Sequence, residues 1–224
     1  MTVGKYIDFV QELHSSTKRD YVARVVEFDK ADSAVVAKQW GRDYWDGDRQ
    51  YGYGGYSYDG RWLPIAEKMV AYYELKPGDK ILDVGSGKGF LLYEFTQAVP
   101  GVEVAGIDIS EHGVADSKEE IRDQIQVGNA IDLPWEDNTF DFVVSFGTLH
   151  NLPIQDLKRG VQEIERVGKG AKKHIMLESW RNEREKANLL YWQLTCESFH
   201  SVDSWKWLYD EWGYTGDYSF IFFE

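Results

Sequence analysis

Residues 81–90, Ile-Leu-Asp-Val-Gly-Ser-Gly-Lys-Gly-Phe, constrain the chain more than any other stretch: an apolar run is broken by one acid and closes on three glycines at alternate positions. Ile81, Leu82 and Val84 suit a short buried strand and Gly85 to Gly89 a tight turn, while Phe90, Leu91, Leu92 and Phe95 mark the apolar side of a helix. A backbone without Cβ atoms reaches dihedrals closed to other residues and can lie directly against a ligand, and the helix N-terminus behind it presents unpaired N–H groups. The stretch therefore predicts a strand, glycine turn and helix that grip a nucleotide-like cofactor, within an α/β fold.

Spacing separates the loops of this kind. A P-loop needs Ser or Thr after its lysine to reach Mg²⁺, and here Lys88 is followed by Gly89. A dinucleotide fingerprint needs GxGxxG, whereas Gly85, Gly87 and Gly89 give GxGxG. What remains is acid-x-Gly-x-Gly-x-Gly.

Downstream, Val102 to Ile107 reads as a second strand ending in Asp108-Ile109-Ser110. An acid about twenty residues past a glycine loop is placed to accept hydrogen bonds from both hydroxyls of a ribose, and Ser110 is the better helix N-cap. Ile125 to Ala130 gives a third strand, and Phe142 to Gly147 a fourth, with Thr148 to Leu152 just past its C-terminal end, the edge at which open α/β sheets bind ligands. His150 lies there, and an imidazole of ordinary pKa suits proton removal at neutral pH; the alternative is a histidine that orders the loop or packs beside a bound nucleoside. His174 to Ser179 forms a fifth strand that brings Glu178 to the same edge, as a second base, a partner for a cationic ligand, or a partner of Arg181. Leu157, Val161 and Ile164 mark an amphipathic helix, two more run from Ala187 to Phe199, which contains Cys196, and from Ser204 to Trp212, and a last strand covers Tyr218 to Phe223.

In order and spacing, Asp83 to Gly89, Asp108, the segment from Asn129 through Leu133-Pro134-Trp135 to Thr139-Phe140-Asp141, and the strand that follows resemble the class I S-adenosylmethionine (SAM) dependent methyltransferases. The resemblance covers about residues 65 to 180. It implies a Rossmann-like, doubly wound, mostly parallel sheet with SAM as cofactor and S-adenosylhomocysteine as product. It further implies that Asp83, Gly85, Ser86 and Gly87 line the methionine and ribose part, that Asp108 and Ile109 hold the ribose, that Asn129 and Ala130 read the adenine, and that Ser145 faces the methyl donor. Asn129 stands where the family has aspartate; its amide oxygen still accepts a hydrogen bond from an adenine amino group. The family closes its sheet with two C-terminal strands, and this chain has sequence for one.

Ahead of that domain, residues 1–63 read as a helical segment and a cap, leaving 64–224 for SAM binding. Tyr6, Phe9, Val10 and Leu13 recur at helical spacing between Lys5 and about Val26, and a further helix runs from an Asp32 N-cap to Trp40. Gly41 to Trp62 then interleaves aromatics, glycines and charges with no period, as a long ordered loop. There Tyr51, Tyr53 and Tyr56 offer flat amphipathic surfaces to an acceptor and Arg42, Arg49 or Arg61 holds an anionic group; the plainer alternative is a rigid cap whose rings only pack on the core.

A formal net charge of −13 argues against a nucleic-acid partner, since that affinity comes from Lys and Arg displacing counterions. No run approaches the roughly 20 apolar residues of a membrane helix, no apolar signal core follows Lys5, and a lone cysteine excludes an internal disulfide framework. These features predict a soluble cytoplasmic protein. Histidines, cysteines and carboxylates lack metal-ligand spacing, so no metal is expected. The expected reaction is methyl transfer to an oxygen or nitrogen of a small polar, anionic metabolite such as a sugar nucleotide or a carboxylate, with His150 or Glu178 as base for an oxygen acceptor. A nicotinamide-dependent oxidoreductase and a non-catalytic SAM-binding regulatory subunit are the alternatives. Exposed aromatics suit a homodimer interface as well as a substrate.

Overall fold

The computed structural model describes residues 3–15 and 19–224. Among them six strands, β1 (Lys80–Val84), β2 (Glu103–Asp108), β3 (Ile125–Val127), β4 (Phe142–Phe146), β5 (Lys173–Glu178) and β6 (Asp217–Ile221), form one sheet in the order 3-2-1-4-5-6, with every pairing parallel. Helices α1 (Gln11–Ser15), α2 (Tyr21–Val26), α3 (Lys30–Ala37) and α4 (Arg42–Asp46) precede the sheet. α5 (Leu63–Tyr73), α6 (Phe90–Ala98), α7 (Glu111–Ala115), α8 (Ile154–Val167), α9 (Glu183–Trp192) and α10 (Val202–Glu211) lead into, connect or flank its strands.

A parallel sheet needs cover on both faces, so its central strands are apolar at successive positions. Their side chains alternate between two cores. Leu82, Val84, Val143, Ile175 and Leu177 meet Val161, Ile164, Trp205 and Tyr209 on the α8 and α10 side. Ile81, Phe142, Val144 and Met176 meet Ile65, Met69, Leu92 and Phe95 on the α5 and α6 side. Burying each of the larger aliphatic side chains contributes about 1.5–3 kcal/mol. The result is a Rossmann-like, doubly wound sheet whose strand order reverses between β1 and β4, which opens a crevice at their C-terminal ends.

The N-terminal stretch departs from the helical reading. Residues 4–7 run extended along β6: Gly4 N–H donates to the Gly216 carbonyl (3.0 Å), Tyr218 N–H to that of Lys5 (3.0 Å) and Ile7 N–H to that of Tyr218 (2.9 Å). Tyr6, Phe9 and Val10 share helical spacing because Phe9 and Val10 are buried beside α5 while Tyr6 packs on Tyr218 and Phe220. α3 is capped by Asp29, three residues before Asp32, and its helix ends before Trp40, whose φ is +52°. β6 is the single strand after α10 among the described residues, and residues 4–7 occupy its outer edge.

The helix expected from Ala187 to Phe199 starts earlier, with the Asn182 side chain capping Glu185 N–H, and stops at Trp192. Residues 193–200 are irregular because their backbone turns onto the loop after β4: Glu197 and Ser198 N–H both donate to the His150 carbonyl at 3.0 Å. Cys196 is therefore buried outside any helix, its Sγ 3.4 Å from the Ser198 carbonyl.

Candidate active site

The glycine turn takes the form its composition predicts. Gly85, Gly87 and Gly89 have φ of +84°, +54° and +71°, where L side chains are strained. Gly85 N–H donates to the Ile107 carbonyl (2.8 Å) and Gly87 N–H to Asp108 Oδ2 (2.7 Å), so the turn is tied to the end of β2. Asp108 Oδ1 accepts from Ser110 N–H at 2.8 Å, which fixes the carboxylate between the glycine turn and α7.

Over this floor lies a roof made by α4 and residues 47–62. α4 is a helix that aperiodic sequence did not signal. After it the chain doubles back, with Tyr53 N–H donating to the Tyr44 carbonyl (2.9 Å) and Gly55 N–H to that of Trp45 (3.0 Å). Gly52 makes the turn possible, since a Cβ there would stand 2.1 Å from the Tyr44 carbonyl oxygen. The rings between the glycines stack in sequence: Trp45 on Tyr53 (5.2 Å, 5°), Tyr53 on Tyr56 (4.6 Å) and Tyr56 on Phe90 (5.0 Å) of the cofactor-side helix.

Two polar anchors join roof and floor. Trp45 Nε1–H donates to Ser110 Oγ (2.8 Å), and that hydroxyl also caps α7 by accepting from Gly113 N–H (2.9 Å). Asp46 receives Lys88 Nζ (2.8 Å) and faces His112 Nε2 (2.8 Å). Burial pushes the Asp46 carboxyl up, but the hydrogen bonds from Lys88 and His112 outweigh it and hold it below the ordinary range. Asp46, His112 and Asp116 are close enough together to hold a cation, and the Lys88 ammonium, 2.7 Å from Asp116, already sits between the two carboxylates.

Between roof and floor is a cavity of about 400 Å³, within the range of small-molecule sites. Its floor holds Asp83, Gly85, Ser86 and Gly87, its far wall His150, Asn151 and Glu178, and its roof Trp45, Arg49, Tyr53, Tyr56, Arg61 and Trp62. The remaining anticipated residues lie outside its lining. Asp108 and Ile109 stand at the end of β2, and Asn129 and Ala130 follow the end of the neighbouring β3. Asn129 Oδ1 accepts from Ile131 N–H at 3.2 Å, and Ile109 is about half exposed. Ser145 does not face the cavity: it is fully buried and its hydroxyl donates to the Val84 carbonyl (2.8 Å), tying β4 to β1. Tyr51 is also absent from the lining, held by its N–H in a turn on the Asp48 carbonyl. Arg42 does not line it either, and Arg61, at the rim, is paired with Asp59.

The titrating groups differ from their sequence-level expectation. Burial drops His150 to about 3 and leaves its Nδ1 without a partner, so at neutral pH it is an uncharged imidazole of low basicity. Burial raises Glu178 to about 8, against the hydrogen bond from Gln193 and the charge of Arg19 that lower it. His150 Nε2 and Glu178 Oε2 are 3.6 Å apart, and with both groups neutral this contact is not an ion pair. Asp83 is also raised to about 8, by burial and then by Asp108, and no donor among the described residues reaches its carboxyl.

These features fit SAM. An unmatched buried carboxyl at Asp83 suits the ammonium of the methionine part, the glycine turn admits close approach, and Ser86 Oγ and Asn151 Oδ1 are buried polar atoms without partners.

Comparison with known proteins agrees. The methyltransferase domain family matches residues 82–176, and over that segment the chain is similar in sequence and fold to the class I, SAM-dependent methyltransferases. The chain is 38% identical over 128 residues to a demethylmenaquinone methyltransferase of Symbiobacterium thermophilum, covering 54% of this chain and 50% of that protein. It is 40% identical over 121 residues to that of Bacillus cytotoxicus, covering half of each. The chain thus spans about half the length of the curated relatives it matches. The YcgJ protein of Bacillus subtilis shares the fold with a TM-score of 0.52 at 20% identity, over 66% of each chain. No helix among the described residues is long and apolar enough to cross a membrane.

The sequence did not signal Trp45, Asp46, Lys88, Arg24, Trp192 or Gln193 as site residues. Their partners lie tens of residues away, so no local spacing reports them.

Proposed function

We propose that this chain transfers a methyl group from SAM to an oxygen or nitrogen of a small, polar, anionic metabolite, of the sugar-nucleotide or carboxylate kind. The observation that carries the reading is the single cavity that joins Asp83 and the glycine turn to His150 and Glu178 under an aromatic roof. When bound, SAM supplies an already activated methyl group, so the protein's task is chiefly positioning. Asp83 and the Gly85–Gly87 backbone would hold the methionine part, Asp108 and Ile109 the ribose, and Asn129 and Ala130 the adenine edge. Tyr53 and Tyr56 would bracket the acceptor, and the roof would exclude water.

For an oxygen acceptor, Glu178 is the better base of the wall pair. At about 8, Glu178 is mostly protonated at neutral pH, and the carboxylate fraction, which grows as pH rises toward 8, takes the proton, whereas an imidazole at about 3 is too weak a base to hold one. His150 then serves as a neutral hydrogen-bonding group that orients the acceptor.

The test is transfer of labelled methyl from SAM into fractionated small metabolites, with Asp108→Ala as control. Label in a polar anionic fraction, lost in the variant, is the expected result. Label only in a demethylmenaquinone, the acceptor in the relatives' name, would replace the acceptor class. No label with S-adenosylhomocysteine still bound would leave the regulatory-subunit reading.

A further inference from the structure

One end of the cavity gathers positive charge that the family's cofactor chemistry does not use. The guanidinium carbons of Arg24, Arg49 and Arg19 lie 4.5, 5.0 and 5.4 Å from the centroid of the Trp192 ring. All four residues line the cavity. Stacking on an indole orients a guanidinium while leaving its edge donors free for a planar or tetrahedral oxyanion.

The hydrogen bonds of Arg24 and Arg49 sharpen the point. Arg24 Nε–H donates to the Trp192 carbonyl (2.8 Å) and Nη1–H to that of Arg49 (3.2 Å). Arg49 Nη1–H donates to the carbonyls of Gly52 (2.6 Å) and Tyr53 (3.0 Å). Those bonds fix both side chains, yet they leave Arg24 Nη2 and Arg49 Nε and Nη2 without a partner among the described residues. No carboxylate there forms an ion pair with either arginine, in a chain with 38 acidic and 25 basic residues. Burial and the charge of Arg49 together lower Arg24 to about 10, a cost that a bound anion would relieve. The residue after Trp192 is Gln193, whose Nε2 donates to Glu178 Oε2. The charged end of the cavity and its basic wall are therefore adjacent along the chain.

We propose that Arg24 and Arg49, stacked on Trp192, form an anion-binding subsite that holds a carboxylate or phosphate of the methyl acceptor. The proposal rests on the methyl-transfer reading for the identity of the ligand, but the subsite is testable without SAM or turnover. Of the three arginines the sequence offered for the anion, it keeps Arg49 of the roof, sets aside Arg42, which lies outside the lining, and Arg61, which Asp59 occupies, and adds Arg24 from α2.

The experiment is calorimetric titration of the full chain with inorganic pyrophosphate and, separately, with benzoate. S-adenosylhomocysteine is titrated in parallel. One or both anions should bind saturably, and preference for one distinguishes a phosphorylated from a carboxylated acceptor. Arg24→Gln and Arg49→Gln should each weaken that binding at least tenfold and leave S-adenosylhomocysteine affinity within twofold. Arg24 also holds the Trp192 carbonyl and Arg49 the Gly52 and Tyr53 carbonyls, so the circular dichroism spectrum of each variant, with its S-adenosylhomocysteine affinity, checks that it is folded. Arg24→Lys should recover part of the affinity by charge without the stacked fork. Absence of saturable anion binding to the wild type, or unchanged binding in both glutamine variants, overturns the proposal. Failure of the wild type to bind S-adenosylhomocysteine would instead overturn the methyl-transfer reading and leave the anion titration to be judged by itself.

Discussion

The floor of the cavity and its roof are built by opposite means. The floor is backbone: three glycines with positive φ, N–H groups that donate to the Ile107 carbonyl and to Asp108, and strands whose register fixes where each carboxylate falls. The roof is side chains: a stack of Trp45, Tyr53, Tyr56 and Phe90, held down by Trp45 on Ser110 and by Asp46 on Lys88. A backbone site recognises what is common to every user of a cofactor, and a side-chain site can change its acceptor by exchanging rings and charges. On the proposed assignment, cofactor recognition and acceptor choice reside in separate stretches of this chain, and substitutions should be able to damage one without the other.

The largest separation is expected from Asp108→Ala, which removes the acceptor of two backbone N–H groups and the proposed ribose contact. S-adenosylhomocysteine binding should weaken at least about 100-fold by calorimetry, at about 1.5–3 kcal/mol for each charge-assisted bond. An unchanged affinity would sink the assignment. Gly52→Ala should do the converse. Its Cβ would lie 2.1 Å from the Tyr44 carbonyl, so the roof must open, and methyl transfer should fall about tenfold or more while S-adenosylhomocysteine affinity stays near wild type; a parallel loss of both would show that roof and floor fold as one unit.

A third prediction concerns pH. Glu178 has a folded pKa of about 8 against 4.5 for the free group, so the folded state binds its proton more tightly. The stability this contributes is complete below about pH 4.5 and is lost as pH rises toward 8, at up to about 1.4 kcal/mol per pH unit. Denaturant melts between pH 5 and 8 should show Glu178→Gln flattening that slope, with Asp83, also at about 8, left as a remaining contributor. A slope identical to wild type would mean that Glu178 is not held protonated. The smallest effect is expected from Trp45→Phe, which keeps the ring stack and deletes the Nε1–H bond to Ser110; chemical denaturation should register about 1 kcal/mol or less.

The contrast also explains what could be read in advance. The glycine turn, β1 through β5 and the placement of Asp83, Asp108, His150 and Glu178 at one sheet edge were legible because each depends on residues close together in sequence. The pairing of residues 4–7 with β6 was not, since an extended edge and a helix face can share the spacing of Tyr6, Phe9 and Val10. Nor was the end of α9, set by two hydrogen bonds to the His150 carbonyl. Tyr53 and Tyr56 reach the cavity while Tyr51 does not, a distinction made by the turn at Gly52 rather than by residue type. His150 looked like a base from its ordinary pKa, and burial without a charged partner takes that role away.

The extended run at residues 4–7 has a consequence for how the molecule is made. Its partner, the segment around Tyr218, leaves the ribosome more than two hundred residues later, so the first-made part of the pairing must wait for everything between the two. Contacts of such sequence separation form late and slow folding. During that interval Phe9 and Val10, buried in the finished protein beside α5, remain without their full set of neighbours. The outer edge of the sheet is therefore completed only after β6 has been made.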